Sequence, residues 1–199
     1  MFYLNGEMIK KARIMQLILA INILMFIFVN LIWGDEGLFL LSQYNRRVLE
    51  NGEIYRLFSS MIIHADFQHL LNNCIGIVFY GTAIERLYSK KETIIIYIIT
   101  GFAGSIATLL LLEPESISLG ASGAIFGFMG ATLIILMVEN KQYIWYTLLF
   151  LGFSIYNSFA PGIGTWAHIF GLIAGIIYSM IRKPEYFKSF IRILKGSNK

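Results

Sequence analysis

The sequence predicts an all-α membrane protein built as a bundle of six transmembrane helices. Of its 199 residues, 57% are hydrophobic and only 14% are charged, whereas about a quarter of the residues in a soluble domain are charged. Long uncharged stretches recur along the chain, and most Lys and Arg residues fall between them. These observations favour a membrane protein over a nucleic-acid-binding protein, in which the basic residues would form a continuous stripe.

Four uncharged stretches each have the length of one membrane crossing: residues 14–33, 67–84, 93–112 and 116–138. A helix needs roughly 20 residues to cross about 30 Å of hydrocarbon. A fifth uncharged run, residues 142–181, is too long for one crossing and contains Pro161, Gly162 and Gly164 near its middle. Because proline and glycine break helices, this run predicts two spans, which brings the total to six.

Orientation follows from the positive charges, because loops rich in Lys and Arg stay in the cytoplasm. Of the 16 Lys and Arg residues, 13 fall before the first span, between spans two and three, between spans four and five, or after span six. Both termini are therefore predicted to be cytoplasmic. The chain divides into an N-terminal segment 1–13, a six-span domain 14–181 and a basic tail 182–199, which we expect to rest on anionic membrane lipid.

The longest connection, residues 34–66, lies on the outer side in this topology. Four of its apolar residues recur at near-helical spacing: Leu38, Leu41, Val48 and Leu49. This spacing fits a helix lying in the membrane interface and an ordinary amphipathic surface helix equally well. The only cysteine, Cys74, lies inside an apolar run. No internal disulfide can form, and cysteine chemistry is not expected.

Polar residues inside the predicted spans share one depth. His69 and Asn73 lie near the outer end of span two, Ser122 near the outer end of span four, and His168 about one turn into span six. At 1.5 Å per residue, all four lie within roughly 10 Å of the outer surface. The three helices run in the same direction, so a bundle can gather these side chains around one cavity. Polar residues in membrane spans are costly and are candidates for function.

Each of these residues also has a purely structural interpretation. His69 and Asn73 are four residues apart on one helix face and could aim at one point, or could join helices by hydrogen bonds, as we expect for Asn72. Ser122 lies among small residues that permit close helix packing, yet a serine at a helix N-terminus is exposed beside free N–H groups that can hold an oxyanion. Gly171 and Gly175 after His168 would let this base approach the serine.

Two kinds of chemistry remain open for the histidines. No Asp or Glu lies inside a predicted span, so His168 would act with Ser122 as a dyad without a carboxylate to orient it. The alternative is a zinc site formed by His64, His69 and His168. The spacing disfavours zinc, because His64 and His69 are five residues apart and no His-Glu-x-x-His pattern occurs.

Taken together, these motifs resemble the rhomboid intramembrane proteases of the bacterial six-span type. Gly120-Ala121-Ser122-Gly123 is similar to the family's nucleophile motif, and Ala167-His168 with the following glycines to its base helix. His69-x-x-x-Asn73 resembles the oxyanion-stabilising pair, and Tyr55-Arg56 resembles a Trp-Arg pair in the first outer loop. The resemblance extends over residues 14–181. The departures are Tyr55 in place of tryptophan and Phe126 in place of a tyrosine that stacks on the histidine.

The resemblance implies an activity as well as a fold. Ser122 would attack the scissile carbonyl, His168 would act as the base, and His69, Asn73 and the Ser122 backbone N–H would hold the oxyanion. Neither a metal nor a cofactor would be needed. The substrates would be single-span membrane proteins, cleaved near the outer surface of a bacterial plasma membrane.

Two other functions compete with proteolysis. The first is a catalytically inactive relative that binds membrane helices as an adaptor, although such proteins lack the serine or the histidine. The second is a small transporter or channel, which would need polar groups near the membrane midplane. The spans offer mostly isolated Thr, Ser and Asn residues there.

Overall fold

The computed structural model describes residues 5–139, Gly152 and residues 164–195, and this part of the chain is mostly helical. Its helices and strands follow in this order: α1 Gly6–Lys11, α2 Arg13–Phe26, α3 Asp35–Leu41, β1 Gln43–Tyr44, α4 Asn45–Asn51, α5 Arg56–Ser59, α6 Phe67–Gly76, α7 Thr82–Leu87, α8 Lys90–Leu111, β2 Ile117–Ser118, α9 Ser122–Glu139, α10 Thr165–Arg182 and α11 Pro184–Leu194. A π-helical segment, Ile27–Trp33, extends α2, and another, Ile77–Gly81, joins α6 to α7. A 3-10 turn, Ser60–Ile62, follows α5.

Within the described residues, four helical segments are long and apolar enough to cross a membrane: Arg13–Trp33, Lys90–Leu111, Ser122–Glu139 and Thr165–Arg182. They confirm the predicted all-α membrane fold. The second predicted span, 67–84, lies in the continuous helical run from α6 to α7, but the first half of this run is polar and lowers its hydropathy. Apart from Gly152, the fifth predicted span lies outside the described residues.

The fourth predicted span begins too early. The sequence predicts a crossing over 116–138, whereas helix α9 begins only at Ser122. The residues before it form β2, which pairs antiparallel with β1, and Gly120 adopts a φ of +116°, which is incompatible with a helix. An uncharged composition does not distinguish this loop from the helix that follows it, and the prediction therefore merged the two.

The outer segment 34–66 is also more divided than its spacing suggests. It forms three short helices, α3 to α5, the strand β1 and the 3-10 turn Ser60–Ile62. An extended Ser42 ends α3, and Gly52 ends α4 in a left-handed conformation with a φ of +70°. Neither a single interfacial helix nor a single surface helix is present in this segment.

Helix α9 occupies the centre of the bundle. In the most apolar part of α9, 83% of the residues are buried, compared with 22% to 44% in the other three membrane-crossing segments. Its small residues let α8 and α10 pack closely against it, as is common between membrane helices. The helix that begins with Ser122 is therefore surrounded by other helices.

Ion pairs close the end of the bundle that lies opposite Ser122. Arg182 at the end of α10 contacts Glu92 at the start of α8, with an Nη2–Oε1 distance of 2.9 Å. Arg86 of α7 contacts Glu139 at the end of α9, with an Nη2–Oε2 distance of 3.2 Å. Glu85 accepts hydrogen bonds from two N–H groups at the start of α2, both at 2.9 Å. These contacts join the helices at the end remote from the candidate site.

Candidate active site

Ser122 is the first residue of α9, where the chain turns sharply into the helix. Gly120 lies two residues earlier in a conformation that favours glycine, with a φ of +116°. Its N–H donates to the carbonyl oxygen of Ser60 at 2.8 Å, which fixes the turn against the segment after α5. The Ser122 side chain is half-buried. The N–H groups in the first turn of α9 have no acceptors within the helix itself and can serve an anion.

His168 lies one turn into α10 and contacts the hydroxyl of Ser122. The Nε2–Oγ distance is 2.8 Å, which is within the reach expected between a general base and a nucleophile. The imidazole is only 8% exposed. The structure therefore brings together two side chains that are 46 positions apart in the sequence.

Glycines on the facing surfaces of α9 and α10 permit this contact. A Cβ added at Gly171 would overlap the carbonyl oxygen of Gly123, and one added at Gly175 would overlap that of Gly127. The two backbones thus approach each other more closely than any side chain allows. The predicted glycine face of α10 is present, and it brings His168 to the serine.

The ring of Phe126 stacks on the face of the His168 imidazole. The two rings are stacked, with 4.2 Å between their centroids and an interplanar angle of 4°. Phe126 lies one turn after Ser122 on α9, so one helix supplies both the hydroxyl and the stacking surface. The stack keeps the plane of the imidazole aligned with Ser122.

His69 and Asn73 lie one turn apart on α6. The helix begins after Asp66, whose carboxylate accepts a hydrogen bond from the His69 N–H at 2.8 Å. Asn73 Nδ2 donates to the carbonyl oxygen of His69 at 2.9 Å. The His69 imidazole lies against the turn before Ser122, because a Cβ added at Gly120 would be 2.7 Å from His69 Nε2.

The two asparagines of α6 have different environments. Asn73 is 5% exposed, and since one amide hydrogen satisfies its own helix, the other is available to an acceptor. Asn72 is exposed and accepts a hydrogen bond from Gln68 Nε2 at 2.9 Å. The prediction that Asn72 joins two helices finds no support among the described residues, because this partner lies in the same helix.

His64 is wholly buried just before α6 and packs edge-on against His69. Their ring centroids are 5.0 Å apart at an angle of 77°. Asn30 Nδ2 donates to the carbonyl oxygens of His64 and Ala65, both at 3.2 Å, which ties this segment to the first span. Burial lowers the pKa of His64 to about 3, with a further lowering by His69 that Asp66 opposes. His64 is therefore neutral near pH 7.

The geometry of the three histidines fits nucleophile–base chemistry better than metal binding. His168 directs Nε2 at the hydroxyl of Ser122, and His64 packs against the ring of His69. In the part of the chain that the structure describes, no group of three His, Cys, Asp or Glu residues could hold a metal ion. A zinc site would need the three imidazole nitrogens to converge on one point.

Comparison with known proteins identifies the family. The model of the Rhomboid domain matches residues 51–185, a range that includes Ser122, His168, His69 and Asn73. The chain belongs to the rhomboid family.

Relatives of this rhomboid occur in bacteria and plants. The YdcA protein of Bacillus subtilis (strain 168) is 31% identical over 184 residues, which cover 87% of this chain and 90% of YdcA. Rhomboid protease GluP of the same organism is 32% identical over 176 residues, which cover 83% of this chain and 34% of GluP. RHOMBOID-like protein 2 of Arabidopsis thaliana is 36% identical over 149 residues, which cover 71% of this chain and 47% of the plant protein.

Arg56 of this rhomboid organises the outer segment. Its guanidinium is 2% exposed and donates from Nη1 to the carbonyl oxygens of Phe39 and Ser42, at 2.6 and 2.8 Å. Tyr55 lies beside it, with Cζ of Arg56 5.4 Å from the centre of the ring. The Tyr55-Arg56 pair therefore shapes the loop around the site through backbone carbonyls.

Sequence reasoning missed two buried amides, Gln43 and Asn45. They are 1% and 0% exposed, although a polar pair in a long outer loop is ordinarily solvated. One signal was available in the sequence, since uncharged amides there alternate with Tyr44 as they would in a short strand.

Proposed function

We propose that this rhomboid-family protein is an intramembrane serine endopeptidase that cleaves single-span membrane proteins. The observation that carries the proposal is the 2.8 Å contact between His168 Nε2 and Ser122 Oγ. A serine hydroxyl within hydrogen-bond reach of a base is characteristic of acyl transfer through a covalent intermediate. The relative named as rhomboid protease GluP supports the same class of reaction.

The reaction proceeds in two stages on this dyad. Ser122 Oγ attacks the scissile carbonyl carbon while His168 Nε2 accepts the hydroxyl proton. When the C–N bond breaks, His168 returns that proton to the leaving amine, and Ser122 remains acylated. A water molecule then attacks the ester with His168 again as the base, which releases the second product and restores the hydroxyl. No metal or cofactor takes part.

Three donors stabilise the negative charge that develops on the carbonyl oxygen. They are the backbone N–H of Ser122, Nε2 of His69 and the second amide hydrogen of Asn73. The position of the His69 ring against Gly120 and the buried amide of Asn73 support these roles. Because the donors belong to helices, the folded bundle holds them in place before the charge develops.

The position of the dyad determines where a substrate is cut. Ser122 begins α9 and His168 lies one turn into α10, so the reaction takes place near one membrane surface. With both termini in the cytoplasm, as the positive charges predict, this is the outer surface of a bacterial plasma membrane. A substrate helix must unwind there, so we expect substrates with helix-destabilising residues near the outer surface.

A serine-directed fluorophosphonate tests the proposal directly. The detergent-purified protein should be labelled at Ser122, and Ser122→Ala should lose both labelling and cleavage of a model single-span protein. Ser179→Ala, which alters a buried serine of α10 near the opposite end of the helix, serves as the matched control and should keep both activities. A folded wild-type protein that binds membrane helices but is neither labelled nor active would be an adaptor.

Chelators separate this mechanism from the zinc alternative. Strong chelators should leave the rate of cleavage unchanged, because the dyad uses no metal. A loss of activity that added zinc restores would instead favour a site formed by His64, His69 and His168.

A further inference from the structure

The chain segment that leads into Ser122 is attached to the outer segment 34–66. Strand β2 pairs with β1, with Gln43 opposite Ser118. Two residues after β2, the N–H of Gly120 donates to the carbonyl oxygen of Ser60 at 2.8 Å. Two contacts therefore attach the turn before Ser122 to residues that lie 60 or more positions earlier in the chain.

Further hydrogen bonds join the outer segment to residues 114–116, which follow the end of α8. The N–H of Asn45 donates to the carbonyl oxygen of Ser116 at 3.1 Å, and the N–H of Arg46 donates to that of Pro114 at 2.7 Å. Arg46 also forms an ion pair with Glu115. Residues 114–120 thus follow the course of the outer segment, and their position depends on what holds that segment in place.

Two buried side chains hold the outer segment on α8. Gln43 Nε2 donates to the carbonyl oxygen of Ser105 at 2.9 Å and to Thr108 Oγ1 at 2.8 Å. Asn45 Nδ2 donates to the carbonyl oxygen of Thr108 at 2.9 Å. The two amides also contact each other, with 3.0 Å between Gln43 Nε2 and Asn45 Oδ1. The carbonyl oxygen of Thr108 also accepts from the Leu112 N–H at 3.1 Å, and that of Ser105 from Thr108 Oγ1 at 2.8 Å. The two amides therefore join the outer segment to carbonyls that already take part in the hydrogen bonding of α8.

Helix α8 is a suitable reference for the position of the nucleophile because it also contacts the base helix. Gly104 of α8 packs against the backbone of Ala167, the residue before His168. An outer segment fixed to α8 is therefore fixed relative to His168 as well. The amides connect the turn at Gly120 to the same helix that supports the imidazole.

We propose that Gln43 and Asn45 are positioning residues for the nucleophile, an inference that rests on the proposed protease function. They act through β1 and β2 on the turn at Gly120, and so set the location of the Ser122 hydroxyl and backbone N–H. Neither side chain touches Ser122. A shift of about 1 Å at a reacting group can lower a rate about 100-fold, so a looser turn should slow the chemical step more than it weakens substrate binding.

Substitution of Asn45 tests this role. Asn45→Ala, and Asn45→Asp, which keeps the shape but removes the N–H donors, should each lower kcat about 10- to 100-fold with less than about a 2-fold change in KM. The rate of fluorophosphonate labelling at Ser122 should fall by a similar factor, because the probe needs the nucleophile but no docked helix. Thr108→Val, a milder variant, should give a smaller effect in the same direction.

Asn22→Ala is the matched control for lost stability. The Asn22 amide is also wholly buried, but it donates to the carbonyl oxygen of Ile18 within its own helix, α2, at 2.7 Å. This variant should lower the melting temperature without changing kcat or labelling. An equal loss of kcat in Asn22→Ala would show that the Asn45 effect is general destabilisation and would overturn the proposal.

Hydrogen exchange gives a readout that does not depend on activity. Backbone amides of residues 115–121 should exchange faster in Asn45→Ala than in the wild type, whereas those in α10 should not. Unchanged exchange, or a raised KM with a wild-type labelling rate, would overturn the positioning role. If exchange rises as expected but the wild-type protein is neither labelled nor active, the proposed protease function fails while the anchoring of the turn stands.

Discussion

A substitution at the contact between α8 and α10 should move His168 away from Ser122 by a distance that the structure allows us to calculate. A Cβ added at Gly104 of α8 would lie 2.9 Å from the carbonyl oxygen of Ala167 and 3.2 Å from its Cα. Both atoms belong to the backbone and cannot rotate away. Gly104→Ala should therefore separate the two helices by about 0.5 Å, the difference between 2.9 Å and the 3.4 Å at which ordinary contact begins.

This separation should displace the imidazole of His168, because Ala167 is the residue before it on α10. If α10 moves away by the full amount, the distance between His168 Nε2 and Ser122 Oγ grows from 2.8 Å to about 3.3 Å, which exceeds the roughly 3.2 Å limit for productive proton transfer. We expect kcat to fall about 10-fold, at a rate loss of about 100-fold per ångström. Overpacking should also cost about 1–3 kcal/mol of stability.

The assay is cleavage of a single-span model protein, with fluorophosphonate labelling and thermal unfolding of each variant. Gly164→Ala is the control, because its Cβ would lie 3.6 Å from the Ala167 side chain, which is ordinary contact. Gly171→Ala should be worse than Gly104→Ala, since its Cβ would overlap the carbonyl oxygen of Gly123. Activity that does not follow this order, or a fully active Gly104→Ala, would refute the reasoning.

Three further predictions follow from the site and from the topology. Asn73→Ala should lower kcat about 10- to 1,000-fold with little change in KM, because an oxyanion donor acts when charge develops. His168→Ala should lower kcat further, because it removes the base. Equal rates in the two variants would contradict this division of roles. Lowering the pH from 7 to 5 should destabilise the protein by on the order of 2 kcal/mol through His64, because the unfolded chain binds a proton near pH 6.5 whereas the folded chain binds it only near pH 3. In thermal melts, His64→Phe should lose less stability over this range, and an equal loss would exclude His64 as the cause. A tag placed after Lys199 should resist protease added to intact cells, and its digestion would refute cytoplasmic termini.

Much of the site could be predicted because membrane spans contain few polar residues. Length and charge predict where the helices cross and in which direction they run, and the predicted direction gives each polar residue a predicted depth. The sequence therefore predicts that Ser122 and His168 lie at the same depth, and the structure places them in contact. The glycines after His168 added the prediction that α10 comes close to another helix, which the backbone contacts of Gly171 and Gly175 match.

The outer loops could not be predicted in the same way. Residues 116–121 carry no charge, so hydropathy included them in a helix, although their backbone groups bond to a distant loop. Gln43, Asn45 and Arg56 are buried because carbonyl groups of other segments receive their hydrogens. The burial of a polar side chain depends on such tertiary partners, which neither periodicity nor composition reveals.

The glycine contact between α9 and α10 also limits how the gene for this protein can change. Any change in the first or second base of a glycine codon yields a residue with a side chain or a stop. At Gly171 and Gly175, even a methyl group would overlap a carbonyl oxygen of α9. Most base changes at these two codons should therefore be lost to selection in a population that needs the protein, while neighbouring codons for exposed residues such as Ile173 and Ile177 remain free to drift among apolar residues.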